Sequence, residues 1–278
     1  MKFTGISDEA GQPIEVQIKA HKELGWQYLE IREVDKENLT LMSDEKFEEV
    51  YKKVTKSELK VSCFSSAVGN WATEISGDFK KDYDEVKTAI PRMKKFQTKY
   101  MRVMSWPNDK DDPWTDENWG KEAVKRMKVL AKIAEDAGII LVHENCSGWA
   151  ATTDKMLRIY HEVNSPAFKL MFDTGNVVAY EDGDAFEDYK KLKPYVEYVH
   201  IKDYKMVEGK IAATYPGEGE ARVKEVMDDL KKTAYEGFVS IEPHMASVVH
   251  LRKVGDPNET YKIYVNYGKK LMEIAQAI

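Results

Sequence analysis

Ile139-Ile-Leu-Val-His-Glu-Asn-Cys-Ser-Gly-Trp149 decides the fold. Ile139 to Val142 is an uninterrupted apolar run, the pattern of a strand buried on both faces. It stops abruptly at His143, Glu144 and Asn145. A strand that turns polar at its C-terminal end is where an α/β barrel keeps its chemistry. Three later stretches repeat the design: Lys169-Leu-Met-Phe before Asp173-Thr-Gly-Asn176, Tyr195-Val-Glu-Tyr-Val before His200-Ile-Lys-Asp203, and Phe238-Val-Ser-Ile before Glu242-Pro-His244. Four successive strands thus each carry one ligand-type side chain at the same end: Glu144, Asp173, His200 and Glu242. In a closed barrel those ends converge. Three carboxylates and one imidazole around one point suit a single divalent cation, Mn²⁺ first, with Mg²⁺, Co²⁺ and Zn²⁺ as alternatives.

Outward from this stretch, strand and helix patterns alternate eight times over residues 1–278, with no Ser/Gly/Pro linker between them. The pattern predicts one (β/α)8 TIM barrel domain with a closed parallel sheet. Chain length agrees, since such barrels run to ~250 residues. Gly25 and Gly138 read as helix stops, and Ser43, Thr115, Thr153 and Asp256 as helix starts. Pro91, inside the helix expected over residues 79–97, should kink or break it. The segment Asp203–Gly219 is expected to be the longest connection. Its Gly217-Glu-Gly219 is a weak phosphate-cradle signal beside the ordinary reading as a loop turn.

A net charge of −6 argues against a nucleic-acid partner, which needs a basic face. Cys63 and Cys146 are too few for a disulfide framework and are expected as reduced thiols. No apolar run approaches the ~20 residues of a membrane span. The chain passes from Met1-Lys2 directly into a strand. These features together lead to the expectation of a soluble cytoplasmic protein. Long Trp-bearing loops at one face suggest a homodimer or homotetramer.

Other residues fall near the expected mouth. Tyr28-Leu-Glu-Ile-Arg32 alternates apolar and charged residues, so Glu30 and Arg32 reach inward, either to the site or as a pair filling a polar layer. Lys202 either stabilises a developing oxyanion or pairs with Asp203. Trp71, Trp106, Trp114 and Trp149 lie in strand-to-helix loops, where a flat ring suits the apolar face of a sugar. Trp106 and Trp149 are the first choices for substrate contact. Alternation points His143 away from Glu144's side, but that rule relaxes at a strand end, so His143 stays a candidate substrate contact.

The ordered set Glu144, Asp173-Thr-Gly-Asn176, His200-Ile-Lys-Asp203 and Ser240-Ile-Glu-Pro-His244, with Pro216-Gly-Glu-Gly219, resembles the xylose-isomerase-like barrels, the sugar phosphate isomerases and epimerases. The resemblance covers essentially the whole chain. It implies a sugar substrate, with Glu144 and Glu242 as the catalytic pair on opposite faces of a substrate carbon. One glutamate removes a proton next to a carbonyl and the other returns one. The chain also departs from the family. Ketose 3-epimerases carry histidine at the position of Asn176 and arginine at that of Met206. Endonuclease IV, a DNA-repair relative with three metals, uses many more histidines than the 6 here. Two other functions compete. One is a lyase on the same site, either a keto-inositol dehydratase or a subunit that cleaves 3-keto or C-glycosides. The other is a non-catalytic metal-binding scaffold.

Overall fold

The computed structural model describes residues 1–180, 183–246 and 255–278. Eight parallel strands share one sheet: β1 (Lys2–Gly5), β2 (Tyr28–Ile31), β3 (Lys60–Ser65), β4 (Tyr100–Ser105), β5 (Ile140–Gly148), β6 (Phe168–Asp173), β7 (Val196–Ile201) and β8 (Phe238–Ile241). Their order is β1-β8-β7-β6-β5-β4-β3-β2, and the parallel bridge Ile6–Glu30 joins its two ends. This is the TIM barrel that the alternation predicts.

The period of two decides what each strand turns inward. Cys63, Val142, Met171, Tyr198 and Phe238 pack against one another as a buried layer inside the barrel. Two residues further along their strands, the inward positions of β3, β5, β6 and β7 become Ser65, Glu144, Asp173 and His200, all buried. The opposite parity, such as Leu141, Leu170 and Val199, joins the apolar shell beneath the helices. The barrel is therefore apolar below and charged above.

The helices are α1 (Ile14–Glu23), α2 (Asp44–Lys56), α3 (Phe79–Phe96), α4 (Asp116–Ala137), α5 (Thr153–Val163), α6 (Thr174–Tyr180), α7 (Ala185–Leu192), α8 (Val223–Lys232) and α9 (Pro257–Ala277). Ser43, Thr115 and Asp256 cap α2, α4 and α9 by accepting first-turn backbone N–H groups. Thr153 does not cap α5; it is the helix's first residue, and Thr152 occupies the cap position without a side-chain bond. Pro91 does not break α3. It lies on the exposed face, as does Lys87 one turn earlier, so the carbonyl that loses its donor can turn to water. The connection after β7 is not loop throughout, because Tyr204–Val207 and Lys210–Ala213 pair as an antiparallel hairpin. Among the described residues, no helix is long and apolar enough to cross a membrane.

His21 ties α1 to α9. Its Nδ1 is 2.9 Å from the Gln17 carbonyl oxygen and its Nε2 3.2 Å from the Tyr264 hydroxyl. Complete burial holds the ring neutral, with its pKa lowered from 6.5 to about 4. The stability this contributes is fully present above pH 6.5 and is lost as pH falls towards 4, because the unfolded chain takes up the proton first. By pH 5 the loss should be on the order of 2 kcal/mol. Urea midpoints at pH 7 and pH 5 should therefore separate further for wild type than for His21→Gln; equal separation would remove His21 from the acid response.

Candidate active site

Register brings the four strand-end residues together. Asp173 pairs directly with His200, Ser240 pairs with His200 on the other side, and the Glu242 amide donates to the Ile201 carbonyl at 3.1 Å. Glu144, Asp173, His200 and Glu242 each offer one ligand atom, all within 4.8 Å of one another, and all four residues are buried. Asp173 is fixed further because its Oδ1 accepts the Asn176 amide at 2.9 Å where α6 begins.

The donor set tests whether a metal ion fits. Glu144 Oε2, Asp173 Oδ2, His200 Nδ1 and Glu242 Oε2 are buried with no hydrogen-bond partner. One atom from each of four ligand-type residues is thus unsatisfied, and such groups are costly to bury unpaired. The other ring nitrogen, His200 Nε2, sits 3.0 and 3.1 Å from the two oxygens of Glu30. An ionised carboxylate only accepts, so Nε2 carries a proton and Nδ1 faces the centre. Glu30 is itself held by Ser65 and by the Tyr198 hydroxyl at 2.8 Å. The three carboxylates, the oriented imidazole and the supporting Glu30 fit one divalent cation.

Three cations share the space. Lys202 Nζ lies 2.6 Å from Glu242 Oε2, without hydrogen-bond geometry, and 3.2 Å from Asp173 Oδ2. Arg102 Nη1 lies 3.3 Å from Glu144 Oε2. Arg32 places Nη1 3.0 Å from Glu242 Oε1 and binds Asp8 through Nε and Nη2. These charges decide ionisation. Burial pushes the Glu144 carboxyl up, but Arg102 and Lys202 outweigh it and hold the pKa at about 2. For Glu242, burial is likewise outweighed, by Lys202 and His244, and the group stays well below its usual range. Asp173 ends above its usual value, because burial and its neighbours Glu144 and Glu242 together exceed the effect of Lys202. Burial raises Glu9 to about 8 despite Arg32.

Above the carboxylates a narrow cavity is lined by Trp71, Met104, Cys146, Ser147, Tyr180 and His244, together with Arg32, Arg102 and Lys202. Three sequence expectations do not hold there. Trp106 is fully buried and donates to Asp82 Oδ2 at 2.9 Å, so it closes a loop onto α3 instead of facing substrate. Trp149 is 1% exposed and packs against Gly120, where a Cβ would come within 2.4 Å of the ring. His143 follows strict alternation and points into the helix shell, with Nδ1 3.0 Å from Met156 Sδ. Trp71 is the tryptophan that lines the cavity. The phosphate-cradle signal also fails: the Gly217, Gly219 and Ala221 amides all donate to Asp203, at 2.8, 3.0 and 3.0 Å. Asp203 therefore does not pair with Lys202; the chain fills its own anion nest.

The residues that sequence reasoning missed are Arg102, Asp8 and Glu9; His244, two residues past Glu242, is undecided from sequence because Pro243 disturbs the local geometry. Arg102 had a readable signal, as a lone charge in the strand Tyr100-Met-Arg-Val-Met104 at inward parity. Asn176, at the histidine position of ketose 3-epimerases, bridges the site: its Nδ2 is 3.3 Å from Glu144 Oε1 and its Oδ1 accepts from Lys202 Nζ at 3.2 Å. Met206, at the arginine position, is 55% exposed on the hairpin.

The sequence pattern of the xylose isomerase-like TIM barrels matches residues 18–270, and the chain belongs to that family. It is 27% identical over 157 residues to an inosose dehydratase of Bacillus thuringiensis, a match covering 50% of this chain and 52% of that protein. The chain thus spans about half the length of the curated relatives it matches. The fold superposes on a probable 3-DHS dehydratase, AsbF, of Bacillus anthracis with TM-score 0.75 at 16% identity, covering 98% of this chain and 99% of that one. It superposes equally on D-psicose 3-epimerase of Clostridium cellulolyticum, with TM-score 0.75 at 17% identity over 100% and 99% of the two chains.

Manganese titrated into the metal-free protein should bind one ion per chain and raise Tm, since binding at 100 times Kd adds about 2.7 kcal/mol. Glu30→Gln should weaken that affinity roughly 10–100-fold, because Glu30 orients the His200 ring without itself being a ligand. Unchanged affinity by calorimetry would show that the ring needs no such support.

Proposed function

We propose that this protein is a divalent-metal-dependent isomerase or epimerase that moves a proton next to the carbonyl of a monosaccharide or keto sugar. One observation carries the reading. Glu144 and Glu242 come from different walls of the barrel, and each turns an ionised oxygen that makes no hydrogen bond to the same centre. A divalent ion held by Glu144, Asp173, His200 and Glu242 would acidify a C–H between a carbonyl and an adjacent hydroxyl. The remaining work belongs to the chain. One glutamate accepts the proton, and the other delivers one to the opposite face. Lys202, within 3.7 Å of three of the four ligand residues, stabilises the negative charge left on the substrate oxygen. The narrow, buried floor keeps water from competing for that proton.

A second reading, a lyase, is favoured by His244. Its Nε2 is 3.2 Å from Glu242 Oε1 and its Nδ1 3.0 Å from the Tyr204 hydroxyl. It lines the cavity as a further proton-transfer group, of the kind needed to release a hydroxyl. The match to inosose dehydratase supports the same reading. Neutral ketose 3-epimerisation is disfavoured by Asn176 and Met206 at the histidine and arginine positions.

Glu242→Gln and Glu144→Gln should each lower turnover by on the order of 10²–10⁴ while the fold persists. Run in deuterium oxide, the wild type should place deuterium at the reacting carbon. Each variant should retain exchange from one face only. A product with a new double bond or a released aglycone selects the lyase; normal turnover by both variants with metal bound rejects the glutamate pair.

A further inference from the structure

Arg102 stands apart from its neighbours. It is 2% exposed and lines the cavity above the ligand set. Its guanidinium makes no hydrogen bond among the described residues, and its Nε is buried without a partner. Its only close ionic neighbours there are Glu144 Oε2 at 3.3 Å and Glu242 Oε1 at 4.0 Å. Arg32, on the opposite wall, has Nε and Nη2 on Asp8 and Nη1 on Glu242. A guanidinium has five donors in a rigid fork matched to a carboxylate, and burying them unused is costly. Beside its ionic contact with Glu144, Arg102 thus keeps guanidinium donors that no described residue uses.

We infer that Arg102 receives a carboxylate on the substrate, so that the molecule turned over is an acidic keto sugar or cyclic keto acid. This rests on the reading of the site as one for proton transfer next to a carbonyl, and it adds the substrate's charge. Arg32 is matched by Asp8 and Lys202 by Asp173 and Glu242, whereas Arg102 has Glu144 Oε2 at 3.3 Å. The carboxylate would bridge the forked donors of Arg102, fixing the reacting carbon over Glu144. Tyr180 and Trp71 at the rim suit the apolar faces of a ring.

The test is calorimetric. Manganese-loaded wild type, Arg102→Met and Arg102→Lys are titrated with 5-keto-D-gluconate and D-glucuronate, and with their neutral counterparts L-sorbose and D-glucose. Wild type should bind at least one acid about tenfold more tightly than its counterpart. Arg102→Met should lose that preference while keeping its manganese stoichiometry and a cooperative melt. Arg102→Lys, which keeps the charge without the fork, should keep part of it. If no acid is preferred by wild type, or if Arg102→Met retains the preference, the inference falls; a loss that is equal for acids and neutral sugars assigns Arg102 to Glu144 alone and overturns it too. Exchange of substrate C–H in deuterium oxide separates this from the proton-transfer reading. Acids that bind through Arg102 without exchange sink the chemistry and leave the receptor. Neutral sugars that exchange while acids are not preferred do the reverse.

Discussion

Everything above the barrel's apolar layer depends on the burial of many like charges in a small volume. Asp8, Glu9, Glu30, Glu144, Asp173 and Glu242 are all nearly inaccessible to water. Carboxylates this close repel one another and are poorly solvated, so each must be matched, neutralised or given a cation. Arg32, Arg102 and Lys202 meet part of that demand, and protonation meets another part at Glu9. The remainder is concentrated on four inward atoms without hydrogen bonds.

The same demand explains how the strands below are built. Glu30 sits between the ligand layer and the apolar interior. It is anchored by the Tyr198 hydroxyl, which in turn lies 3.0 Å from Ser62 Oγ; Ser62 lies 3.2 Å from Thr4 Oγ1 and donates to the Leu29 carbonyl. A polar seam thus descends through the barrel beside the aromatic packing of Tyr198, Tyr100 and Phe238. Its hydrogen bonds hold the His200 ring at a fixed angle, which loop residues could not do as rigidly.

The fold and the convergence of the four strand-end side chains were legible because both follow from periodicity. Apolar runs that end in a carboxylate or imidazole give strand, parity and end at once, and Glu144, Asp173, His200 and Glu242 all obey that rule. His143 obeys it too; the allowance made for a relaxed strand end was unnecessary. Side chains in loops were not legible. Trp106 and Trp149 occupy the expected loops, yet each turns back onto a helix because Asp82 offers an acceptor and Gly120, without a Cβ, offers room. Nothing local in the sequence states those partners. Glu9 and His244 meet across 235 residues through the His244 amide, a contact that only barrel closure creates. Arg102 lay within reach of the argument, since an inward charge in a buried strand demands a partner.

Asp203 behaves as a tethered ligand. Its carboxylate occupies the nest of amides that begins at Gly217, and a Cβ at Gly219 would come within 2.3 Å of it. An anion attached by a short segment competes at an effective concentration of the order of millimolar or higher, without paying for association again each time. A free phosphate at ordinary cellular levels has no advantage over such a resident competitor. The nest is filled by the chain itself and acts as a clasp that ties the end of β7 to the start of α8.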